Sequence, residues 1–179
     1  MTKHLLALCT IAAVTFSPST LDAQHPQMPP GMTHEAHLAQ MKRDAELKAR
    51  GGAAMGFDQD AAEHHFLLFD DGGAIEVRAV ARGDAATRGA VRSHLQDIAR
   101  EFANGVFDRP FATHAETPAG VPTLQQFRTS LSYTYEETAD GGRVRIRTSD
   151  PKALAGVHAF LRYQIVEHKT GDPLSPRRR

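Results

Sequence analysis

At 179 residues, with 41% hydrophobic side chains, the chain is sized for one modest globular domain plus tails and needs no second core. Its 21 Lys and Arg balance 21 Asp and Glu, so it lacks the basic excess of a phosphate-binding surface, and a nucleic-acid partner is not expected. Cys9 is the single cysteine, which excludes thiolate chemistry from everything downstream of it.

Residues 1–23 read as a signal peptide. Lys3 supplies a short basic region, Leu5 to Phe16 an apolar run too short to span a bilayer, and Leu21-Asp22-Ala23 a cleavage site before Gln24. The mature chain is therefore expected in the periplasm or outside the cell, without a disulfide and without stable membrane insertion.

Residues 24–54 are a Met/His-containing linker and a short helix. The linker, rich in Pro, Gln, His and Met, offers no face to bury. Thr33 is the expected N-cap of a helix from His34 to Arg50, with Gly51-Gly52 as its stop and Leu38, Met41 and Ala45 as a thin apolar stripe.

From Met55 to Asp172 the pattern is that of a folded domain. His64 to Val80 is two apolar-rich runs around Asp70-Asp71-Gly72-Gly73, the signature of a β-hairpin, with Phe66 and Leu68 facing Ile75, Val77 and Ala79. A helix follows from Asp84 to Asn104, where Val91, Leu95, Ile98 and Phe102 make one face and Gly105 ends it. The proline-containing stretch from Val106 to Pro122 is expected to be irregular. A second hairpin at Leu131 to Thr148 turns at Ala139-Asp140-Gly141-Gly142, with Val144 and Ile146 inside and a solvated strip of Arg143, Arg145 and Arg147 outside. A last helix begins at Asp150-Pro151 and runs to Gly171, and residues 173–179 form a basic tail. Val91/Val157, Leu95/Leu161 and Gly105/Gly171 share one offset of 66, which predicts an internal repeat of residues 64–105 in residues 131–171. The expected fold is α+β: a duplicated β-β-α unit, with an antiparallel sheet of about four strands and two helices packed on one face. No segment obviously closes the sheet edge, which leaves a homodimer open.

Ten histidines stand out. His25, Met28, Met32, His34, His37 and Met41 form a Met/His tract of the ligand types that hold copper where thiolates would oxidise; solvated histidines beside packed methionines are the plainer reading. Within the domain, neighbouring strand residues face opposite ways, so one of His64 and His65 points at the helices. His94 and His158 lie on the inner sides of their helices. His64 or His65, His94 and His158, with Met55, form a candidate metal site for copper, with zinc as the alternative ion. His168 also belongs to the inner side, but lies about 15 Å along the helix from His158 and cannot share its ion.

No phosphate-cradling loop, nucleophile elbow or His-Glu-x-x-His motif is present, and no catalytic residue is assigned. Two stretches, Met55-Gly56-Phe57-Asp58-Gln59 with His64-His65-Phe66-Leu67-Leu68, and His158-Ala159-Phe160-Leu161-Arg162-Tyr163-Gln164-Ile165 with Thr170-Gly171-Asp172, resemble a family of small exported bacterial proteins. The resemblance implies one domain from Met55 to Asp172 and carries no activity with it. The leading expectation is an exported metal-binding protein that handles or senses copper. The competitors are a non-catalytic envelope domain that binds a ligand or a partner protein, its histidines structural, and a small enzyme with His94 or His158 as general base.

Overall fold

The computed structural model describes residues 30–177. The signal peptide, His25 and Met28 lie outside the described residues. Among those described, no helix is long and apolar enough to cross a membrane.

Nine described elements of α-helix or β-strand build the domain: α1 (His34–Met55), β1 (Ala62–Phe69), β2 (Gly72–Ala79), α2 (Ala85–Ala103), α3 (Asp108–His114), α4 (Val121–Gln126), β3 (Ser132–Thr138), β4 (Gly141–Arg147) and α5 (Pro151–Glu167), with the two strand hairpins in one sheet. That sheet is antiparallel, in the order β1-β2-β4-β3. The fold is therefore α+β, and the order β-β-α occurs in both halves of the chain.

Period-two alternation decides what each strand buries. Phe66 pairs with Ile75 and His64 with Val77, so Phe66, Leu68, Ile75 and Val77 share a face with Val144 and Ile146. Val91, Leu95, Ile98 and Phe102 of α2 and Val157, Phe160, Leu161 and Ile165 of α5 close over it as one core. Asp84 and Asp150 cap the two helices by accepting from Thr87 N and from the amides of Lys152 and Ala153. Phe102 is the hub of the aromatic packing, with Phe107 at 4.2 Å and Phe160 and Tyr133 edge-on.

Several local expectations change. The first helix does not stop at Gly51-Gly52 but continues to Met55, where Gly56 at φ 80° ends it. Gly51 is buried against the side chain of Gln59, and α1 is tied to α3 by Arg50 Nε donating to Thr113 O at 3.0 Å and Arg109 Nη1 donating to Ala54 O at 3.0 Å. Tertiary contacts thus outweigh the roughly 1 kcal/mol that each helical glycine costs. Residues 106–122 are not irregular throughout, since α3 and the start of α4 fall there. Gly120, at φ 86°, starts α4 where a Cβ would lie 2.4 Å from Gly156 O, so α4 presses directly on the α5 backbone. The last helix ends at Glu167 rather than Gly171, because Lys169 N and Thr170 N turn back to Val166 O and Ile165 O.

Arg145 is not part of a solvated strip. It is 2% exposed, donates to Gly73 O at 2.7 Å, pairs with Asp71 and lies over the Phe69 ring. The outer edge of β1 is also closed. Asp172 accepts from Phe66 N at 3.0 Å, and Arg177 N donates to Leu68 O at 2.9 Å, so the C-terminal segment follows that edge. This leaves β3 as the edge through which a homodimer would have to extend the sheet.

The packing around Phe102 sets a stability test. Phe102→Ala is expected to cost about 3–5 kcal/mol in chemical denaturation, the range for emptying a buried aromatic site.

Candidate functional site

The β1 alternation that buries Phe66 also settles the choice between the adjacent histidines. His64 lies on the inner face and His65 on the other side of the strand. The His64 ring stacks on His168, with centroids 5.8 Å apart, and on Phe57 at 6.2 Å. His168 is the C-cap of α5, and because the helix ends there its ring reaches the underside of β1. His114, the last residue of α3, meets His168 edge-on at 5.1 Å. His94, on the inner side of α2, meets Phe57 edge-on at 5.7 Å. Four imidazoles from four elements thus form a continuous run of rings, with Phe57 joining His94 to His64.

These rings line a cavity of about 60 Å³, together with Met55, Gln164 and Arg109 and an apolar wall that includes Phe66, Val77, Leu95 and Phe160. A water needs about 10–15 Å³ of such space, so the cavity suits a few waters or an ion with its immediate ligands, not a large organic molecule.

Burial keeps the imidazoles unprotonated. It pushes His64 down to about 4, helped by His65, and His94 down to about 4, helped by Arg109. His168 falls to about 3 for the same first reason, with His64 and His114 adding to it, and burial also lowers His114. The guanidinium of Arg109 is itself held by Asp97 and Glu101. His64 Nε2, His94 Nδ1, His114 Nδ1 and Gln164 Nε2 are buried without a hydrogen-bond partner in the protein. Leaving such an atom unmet costs about 1–3 kcal/mol, so these nitrogens around one cavity call for a partner from outside the protein, a water or an ion. Gln164 Oε1 lies 3.1 Å from His114 Nε2. Donation from Nε2–H to that oxygen leaves the lone pair on Nδ1, the unpartnered atom.

The expected constellation of His64 or His65, His94, His158 and Met55 is thus assembled in part. His64, His94 and Met55 share the cavity. His158 does not: its Nε2 lies 2.9 Å from Phe69 O and 3.1 Å from Gly72 O, so it donates to the β1–β2 turn and fastens α5 to it. His65 faces away, with Nδ1 3.1 Å from Asp172. Two histidines absent from the expected set, His114 and His168, line the cavity instead. Among the described residues, no three His, Cys, Asp or Glu side chains are arranged to hold a metal ion as the rings stand.

Of the Met/His tract, Met32 precedes α1, while His34, His37 and Met41 lie in its N-terminal half, where Met41 is 45% exposed. Met41 and Met55 are separated by about 21 Å along the helix by its rise of about 1.5 Å per residue, so tract and cavity cannot share an ion.

The depressed imidazoles fix the sign of the acid response. Neutral in the fold and protonated near 6.5 when unfolded, they give stability that is complete above that pH. As pH falls from about 6.5 toward 4, each is expected to remove up to about 1.4 kcal/mol per pH unit, and urea titrations at stepped pH measure the slope. His94→Leu, which replaces an unmet polar ring by an apolar side chain, is expected to leave the metal-free protein as stable as wild type or about 1 kcal/mol more stable in the same assay.

Comparison of the chain with protein-family models, with curated proteins and with solved structures finds no match.

Proposed function

We propose that this is an exported, periplasmic metal-binding protein that handles or senses copper, with zinc as the second candidate, and that its site is the histidine cavity. The observation that carries the reading is the set of buried, neutral and unpartnered imidazole nitrogens, His64 Nε2, His94 Nδ1 and His114 Nδ1, on side chains that line one small cavity.

The donor set fits a borderline or soft ion. Neutral imidazole with the Met55 thioether nearby, and no thiolate or carboxylate among the candidate donors, suits copper first and zinc second. His64, His94 and His114 would hold the ion, with His168 and Met55 as further donors. A bound copper ion would supply a redox-active or Lewis-acidic centre. The chain's own contribution is different. Burial keeps each ring in its ligand form without a proton to displace, and Gln164 fixes the His114 tautomer as an outer partner does in metal sites. Apolar side chains, among them Phe66, Val77, Leu95 and Phe160, make up most of the wall around the donors. Uptake requires the rings to turn about χ2, a broad torsion for histidine. His34, His37 and Met41, one turn apart on α1, would make a separate copper contact with Met32 and the upstream His25 and Met28.

Isothermal titration of the mature chain with Cu(II), with Cu(I) under reduction and with Zn(II) tests the reading. Binding at one ion per chain in the domain is expected, weakened more than about 10-fold by His94→Ala or His114→Ala and about 10-fold by Gln164→Ala. His158→Ala is expected to lower thermal stability and leave affinity unchanged. If no ion binds, the histidines are structural and the envelope-domain reading replaces this one.

A further inference from the structure

His64 and His168 line a second space as well as the cavity. On their other side is an open cleft of about 490 Å³, bordered by Gln59, Asp60, Glu63, His65 and Thr170. These two stacked rings are the residues common to both linings, so they stand between the cavity and the cleft. Asp60 and Glu63 are already paired, with Lys48 and Arg78. The group in the cleft with a donor to spare is His65.

The setting of His65 is built rather than incidental. Asp172, whose side chain is 7% exposed, places Oδ1 3.1 Å from His65 Nδ1, while its Oδ2 accepts from Phe66 N at 3.0 Å and from Thr170 Oγ1 at 2.7 Å. The carboxylate is thus immobilised by two other donors, and its remaining oxygen accepts a hydrogen bond from His65 Nδ1–H. That leaves the lone pair on Nε2, on a ring 33% exposed. A carboxylate behind an imidazole is the arrangement that fixes the tautomer and raises the donor strength of a metal-binding histidine.

We propose that the cleft is the loading port of the cavity: His65, set by Asp172, takes a copper ion from solution and passes it between His64 and His168 to the inner imidazoles. The inference rests on the metal reading above. The transfer is a ligand exchange, in which a nitrogen–metal bond to His65 Nε2 is replaced by one to an inner imidazole, with no change of oxidation state and no proton released. His64 and His65 are consecutive residues of one extended strand, so outer and inner donors are separated by a single peptide unit.

A port residue alters rates without altering equilibrium. Stopped-flow mixing of the full mature chain with Cu(II), paired with chelator competition for affinity, separates the two. His65→Ala is expected to slow loading about 10-fold or more, the size of an outer-partner effect, with affinity within about 3-fold of wild type. Extraction by chelator must then slow by the same factor, since both rates pass through one port. Asp172→Asn, which keeps an oxygen for Phe66 N, is expected to slow loading in the same direction with the melting temperature nearly unchanged. Wild-type loading rates in both variants, or a loss of affinity in His65→Ala with loading unchanged, would overturn the port. A wild-type chain that binds copper while the variants load normally fails the port alone; a wild-type chain that binds none fails the metal reading and the port with it.

Discussion

The register of β1 against β2, with His64 opposite Val77 and Phe66 opposite Ile75, is the constraint on which the other features depend. A slip of one residue would exchange every side chain between faces, putting His65 and Leu67 under the helices and His64 and Phe66 outside. The register is held from both sides. The hydrophobic face of β1 is covered by α5, and its outer edge is fastened by Asp172 and Arg177. His158 adds a third restraint by holding the β1–β2 turn to α5. One arrangement therefore fixes the core, the inward His64 and the outward His65 together.

Burial then gives the histidines their character. An imidazole in water is divided between its two protonation states near neutral pH, but desolvation penalises the charged form. The rings around the cavity are consequently neutral, and several carry a nitrogen with no partner inside the protein. Such a cluster is costly for a domain that gains nothing from it. Leucine or phenylalanine would fill the same space with less desolvation, and the neighbouring Leu95 and Phe66 show that the fold supplies them readily.

Much of this was legible in the sequence, and the parts that were not have physical causes. The two hairpins, the α2 stripe and both helix caps follow from local chemistry: glycine at the turns, alternating apolar residues, Asp84 and Asp150 before helical runs. The same periodicity turned one of His64 and His65, and His94, toward the interior. His114 was missed because α3 is a seven-residue helix in a stretch punctuated by Pro110 and Pro118, whose stability comes from docking on α1. His168 was seen as inward but not as a neighbour of His64, since that contact depends on α5 ending four residues before Gly171. His158 has the right helical phase yet sits over the hairpin turn, and phase alone does not say how far along the sheet a side chain lands. Arg145 shows the limit on the other face, where its burial depends on Asp71, Phe69 and Gly73, far away in the chain.

X-ray absorption spectroscopy of the copper-loaded mature chain tests the central claim most directly, because it reads the atoms around the ion. The account requires a shell of at least three imidazole nitrogens that loses one on His94→Ala and is unchanged in a chain lacking residues 24–41. A shell dominated by oxygen, or one that disappears with those residues and ignores His94, would place copper outside the cavity and contradict it.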